Sequence, residues 1–384
     1  MTNKGKAGDL IEITGTFNEP ANAIIPPVMN VHYATDSVMA VAYDSTAVGN
    51  TVWLFRIMLP AGENNTGYMS VTLDAMDLAG NFVSSYTAAD IFLLDNTLPG
   101  YSATSPDSGT YVSHTNVGYM LSESILSGTV IWTRLSGNED ANSPHVVNLD
   151  STEMQGGVAY TDYNLVNGPD SSEFPLVSET YYSITFSATD SSGNTSLDFV
   201  ETPVFYDTTA PTGALTFSHL YVSEDSVLTI TAQFEERIMP TPTISIDYAG
   251  VGDDVSSADM VMTPGDSTEW SYEALIPGGE SNNGPVLISI DATDLADNAL
   301  NPNDLTQTDT VYLDNTLPAV SFSYVNLTQP TVTNKGKAGD LIEVTGTLNE
   351  PANANIPPVM NVQYATDTDM GVGYDSTANG DSTW

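Results

Sequence analysis

Between Ile184 and Thr189 the side chains take turns. Ile184, Phe186 and Ala188 alternate with Thr185, Ser187 and Thr189. A period of two places one set on one face, so the segment predicts a strand buried on one side. The same alternation runs through Leu73–Asp77 and Ile288–Asp294. Glycine, asparagine, proline and Asp-Ser pairs interrupt such runs roughly every ten residues, and no segment sustains a helical period. Many short strands with regular turns predict an all-β sandwich. Tyr68 and Tyr181, near the start of the penultimate strand, are compatible with a tyrosine corner and read more simply as core tyrosines. Trp53, Trp270 and Trp384 hold equivalent places and read as core packing.

The strand pattern recurs with its turns. VTLDAMDLAGN (Val71–Asn81) precedes FLLDNTLP (Phe92–Pro99); ITFSATDSSGN (Ile184–Asn194) precedes VFYDTTAP (Val204–Pro211); ISIDATDLADN (Ile288–Asn298) precedes VYLDNTLP (Val311–Pro318). The closing aspartates Asp95, Asp207 and Asp314 lie 112 and 107 residues apart, and about 110 residues suits a domain with its own core. A longer echo overlies this one. Thr2–Trp53 matches Thr333–Trp384 at 40 of 52 positions, at a constant offset of 331. The expected domains are 1–97 (type A, first strand missing), 98–209 (type B), 210–316 (a type A variant) and 317–384 (type A, final strands missing). Such a chain reads as a stretch of a longer array, built for length or valency.

Charge narrows the function. The 49 acidic side chains outnumber 7 basic ones, for a net charge of −42. Nucleic acid and anionic membranes need clustered Lys and Arg, so both are excluded as partners. Self-repulsion on this scale calls for cations. The chain has no cysteine, so calcium is the natural staple for an extracellular protein of this kind. No apolar run approaches the length of a membrane span, so no membrane insertion is expected.

The order (F/L)-x-E, then a strand ending D-x-(A/S)-G-N, then D-(N/T)-T-x-P resembles the bacterial Ig-like domains of large repetitive surface adhesins and secreted repeat proteins. The resemblance covers essentially the whole chain. It implies an extended tandem array of Ig-like β-sandwiches at the cell surface, often rigidified by calcium at or near domain junctions. The sequence departs from the pattern at Leu295–Asn298, where LADN lacks the glycine and the turn is expected to differ.

Carboxylates are the one abundant chemical group. Glu19, Glu123, Glu236 and Glu350 hold the (F/L)-x-E position; Asp77, Asp190 and Asp294 end the penultimate strand; Asp95, Asp207 and Asp314 stand where one repeat passes to the next. Calcium takes six to eight oxygens of this kind, and loops of a sandwich cluster at its ends, so these ten acids are the candidate ligands. The competing reading is structural, since an aspartate in a D-x-x-G-N turn accepts hydrogen bonds from its own loop. Asp74 and Asp291 alternate with core positions and face solvent. Because the acids recur in every unit, a glycosidase dyad is not expected, and neither is any other enzyme. His32, His114, His145 and His219 lack zinc-ligand spacing. Lys4, Lys6, Lys335 and Lys337 lie in a glycine-flanked loop and do not suit an isopeptide bond.

The expected role is extension: an adhesin stalk or surface fibre in which neighbouring repeats are the main partners and distal domains reach surface glycans. Alternatives are a carbohydrate- or surface-binding module, a spacer in a secreted enzyme, and a filament subunit joining other copies head-to-tail by strand donation.

Overall fold

The computed structural model describes residues 3–35, 38–169, 175–351, 358–363 and 369–372. Trp384 lies outside them. Two compact units emerge: residues 1–212 with 235–240 and 292–304, and residues 213–234 with 241–291 and 305–384.

The first unit holds two sandwiches. In one, a five-stranded sheet runs Lys4–Gly5, Phe82–Leu94, Gly67–Met76, Val28–His32, Val38–Val41, and a three-stranded sheet runs Leu10–Thr16, Val52–Met58, Tyr43–Ala47. Met29, Val31, Val71 and Leu94 of the first sheet share a core with Trp53, Phe55 and Ile57 of the second. In the other, the five-stranded sheet runs Tyr111–Val112, Phe199–Tyr206, Thr180–Thr189, Ser127–Gly137, His145–Asn148. Its partner sheet runs Ala159–Tyr163, Val117–Leu121, Tyr101–Ser105. Trp132, Tyr182, Ile184 and Phe186 are fully buried between them. Each such side chain contributes about 1.5–3 kcal/mol through burial, which is what fixes the period-two register.

The second sandwich shows why the fold is immunoglobulin-like. Its opening segment changes sheets: Tyr101–Ser105 pairs antiparallel with Val117–Leu121, and Tyr111–Val112 then pairs parallel with the closing strand Phe199–Tyr206. In the first sandwich Lys4–Gly5 makes the same parallel pair with Phe82–Leu94. Leu10–Thr16 pairs with Val52–Met58 alone among the described strands. Lys4 therefore sits in a short strand rather than in a loop.

The second unit repeats the scheme. Gly213–Phe217 pairs with Val227–Phe234, and Tyr221–Val222 runs parallel to Tyr312–Leu313. Leu228, Ile230, Ile244, Ile246 and Val311 are buried, as is Trp270. Beyond Pro318, Val320–Asn326 pairs with Ile342–Leu348, and Met360–Gln363 with Asp369–Val372. Tyr68 departs from the core expectation: it is 60% exposed, because it falls on the outward-facing set of Gly67–Met76. Among the described residues no helix is long and apolar enough to cross a membrane.

Candidate metal centres

The D-x-x-G-N turns are built by their aspartates. Asp190 Oδ1 accepts from the backbone N–H of Ser192 (2.7 Å) and Asn194 (2.9 Å), and its Oδ2 accepts from Asn194 Nδ2 (2.8 Å). Asp294 repeats this with Ala296 and Asn298, and Asp77 with Ala79 and Asn81. The structural reading of these acids is therefore real, and these bonds hold the Asp77 carboxyl below its usual range. The LADN turn does not differ as expected. Asp297 adopts φ 65°, the left-handed conformation that Gly80 (88°) and Gly193 (87°) adopt in the other two turns. Asp tolerates that region better than most residues, at a cost glycine avoids.

The closing aspartates meet these turns. The Asp95 backbone carbonyl accepts from Asn194 Nδ2 at 2.9 Å, and its Oδ2 accepts from Ser192 Oγ at 3.1 Å. The Asp207 carbonyl accepts from Asn298 Nδ2 at 2.9 Å. Glu123 arrives from the loop after Val117–Leu121, and Glu236 from the loop after Val227–Phe234. The result is two triads, Asp95–Glu123–Asp190 and Asp207–Glu236–Asp294, each with one oxygen per residue within 4.8 Å of the others. Asp190 and Asp294 are each 1% exposed.

Electrostatics sets the glutamates apart from the aspartates. Among the described residues no donor reaches the carboxylate of Glu123 or Glu236. Burial, then Asp95 and Asp190, push Glu123 above the usual carboxylate range, with Lys4 opposing. Burial, then Asp294, Asp207 and Glu179, push Glu236 up to about 7. Such crowding of oxygen ligands suits a hard divalent cation, and the donors are of the kind calcium takes.

The other four candidates form two pairs. Glu19 and Asp77 line one pocket of about 90 Å³ with Pro20, Asn81 and Phe82. Burial first, then Asp314, push Glu350 above the usual carboxylate range, and its shielded Oε1 has no hydrogen-bond partner among the described residues. Asp74 accepts from the backbone of Ser85 at 2.6 Å.

The asparagines of the turns were missed. Asn194 and Asn298 tie turn to closing strand, and the only signal was their fixed place four residues after each aspartate. A buried trio also went unseen: Asp140 Oδ2 takes the Tyr182 hydroxyl at 2.7 Å and lies 2.6 Å from His145 Nε2.

No family model matches the chain, and no curated protein does. Solved structures similar to it include the chicken CNTN1 FN1–FN3 domains, 13% identical over 81% of this chain and 99% of that one, at a TM-score of 0.29. The mouse nectin-like molecule 4 ectodomain is 12% identical over 80% and 98%, at 0.24. The D00–D0 domain of intimin is 13% identical over 57% and 100%, at 0.22. The assignment of fold rests on the sheets themselves.

Proposed function

We propose that the chain is a structural extension module of a bacterial extracellular repeat protein, an adhesin stalk or surface fibre, with calcium as a structural ion at its carboxylate triads. The carrying observation is the composition of each triad: one acid closes a repeat and two belong to the repeat that follows. A catalytic site would need to occur once, whereas this arrangement is made twice from recurring motif positions. Asp95, Glu123 and Asp190 would hold one ion, and Asp207, Glu236 and Asp294 another. The ion would supply positive charge where three carboxylates converge and would hold the two turns to the strand ends that meet them.

The test is thermal melting of the 384-residue chain in calcium and in chelator, with direct calcium titration by calorimetry. Calcium should raise the melting temperature, and heat should report saturable binding. An unchanged melting curve together with no binding heat rejects calcium at these sites.

A surface-binding reading keeps one supporting feature. Tyr221 and Tyr312 stack on neighbouring strands with ring centroids 5.9 Å apart, both exposed, as sugar-binding aromatics are. Glycan-array binding lost in Tyr312→Ala would favour it.

A further inference from the structure

The two triads have unlike surroundings. At the first, the Lys6 ammonium donates to the carbonyl oxygen of Gly193. That glycine lies between Ser192 and Asn194, the two residues that bond Asp95. A Cβ on Gly193 would stand 3.7 Å from Lys6 Nζ, so the ammonium rests against the turn. Lys4 adds a second positive charge that acts on Glu123.

Register identifies the counterparts at the second triad. Lys4–Gly5 pairs with Leu93–Leu94 as Tyr111–Val112 pairs with Phe205–Tyr206. Tyr111 and Ser113 thus hold the places of Lys4 and Lys6. Across from them, Ala296 replaces Ser192 and Asp297 replaces Gly193. A hydroxyl clasp is lost there, and a carboxylate stands in the turn that the ammonium braces at the first site. Glu179 adds further negative charge acting on Glu236. Arg237, next in the chain, is exposed, has a partner of its own and is not among the groups acting on Glu236. Lys4 eases the charge on Glu123 and Lys6 rests on the first turn, whereas Glu179 adds to the charge acting on Glu236 and no ammonium stands at Ser113.

We propose that Lys6 is a built-in cationic strut that holds the first joint together without added metal. The second joint, lacking it, is the one at which a divalent cation decides whether the loops 235–240 and 292–304 stay on Asp207. This rests on the triads being calcium sites. Two joints of one chain then answer differently to the same calcium concentration.

Hydrogen exchange read by mass spectrometry on the full chain, in calcium and in EDTA, separates the joints. In the wild-type protein, chelation should speed exchange of residues 292–300 about tenfold and leave 188–196 unchanged. In Lys6→Met both segments should respond. In Ser113→Lys, which places an ammonium at the corresponding position of the second joint, residues 292–300 should lose their response. Strand 180–187 serves as the folding control. Equal responses of both joints in the wild type overturn the strut and leave the calcium reading standing, as does Lys6→Met exchanging like wild type. No response to chelation in any of the three proteins overturns both.

Discussion

Glu236→Gln should have opposite effects with and without calcium. Glu236 accepts no hydrogen bond from the described residues, so the amide removes charge and leaves the fold's bonding intact. Burial, Asp294, Asp207 and Glu179 push its pKa from the ordinary 4.5 to about 7. A carboxyl that holds its proton more tightly folded than unfolded opposes folding once ionised. The penalty is absent below pH 4.5, grows between 4.5 and 7, and is complete above 7. At face value the gap is worth about 3 kcal/mol. The carboxylate still meets solvent, and screening reduces this to about 1 kcal/mol. In EDTA at pH 8 the variant should therefore melt a few degrees above wild type, with the difference gone at pH 4. In calcium at a hundredfold excess over Kd, wild type gains about 2.7 kcal/mol, and the variant, missing one ligand charge, should gain less and fall below it. Calorimetric scans at two pH values, with and without calcium, give all the comparisons. A variant that melts at or below wild type in EDTA at pH 8 refutes the claim that the triad is strained by its own charge.

Asn194→Ala should destabilise by about 1–2 kcal/mol in denaturant titration, since its amide joins the Asp190 carboxylate to the Asp95 carbonyl. Asp297→Gly should stabilise by about 0.5–1 kcal/mol in the same assay, because glycine adopts φ 65° without strain. Glu153 is fully buried and accepts from the backbone of Asp150 at 2.6 Å and Val166 at 2.7 Å. Glu153→Ala removes the carboxylate that accepts from both N–H groups and should cost about 2–4 kcal/mol, read as a lowered denaturation midpoint of the second sandwich.

Strand identity was legible because Ile184, Phe186 and Ala188 alternate with polar neighbours, and burial alone enforces that pattern. The acids were legible as recurring positions. Their grouping was not, since nothing local in Asp95 says that it meets Glu123 and Asp190 after the chain has travelled through another sheet. Lys6 was invisible as a brace for the same reason: its acceptor, Gly193, is 187 residues away. The LADN loop misled in the opposite direction. A missing glycine suggested another turn, yet the three aspartate-centred hydrogen bonds were enough to hold Asp297 in the same conformation. Tyr68 misled because an aromatic in a strand looks like core until its parity against Val71 is counted.

The parallel pairing of the closing strand bears on how a repeat carries load. In the first sandwich Leu93 N–H donates to Asn3 and Asp95 N–H to Gly5; in the second, Phe205 donates to Thr110 and Asp207 to Val112. When two parallel neighbours are drawn apart along their length, one by its start and the other by its end, these bonds are loaded in shear and yield together instead of unzipping singly. The last bond of each set belongs to the aspartate whose carboxylate enters the triad. Tension would thus meet the clamp within a sandwich and the joint to the next repeat at one residue, and an ion gripping Asp95 or Asp207 would oppose the slip of both.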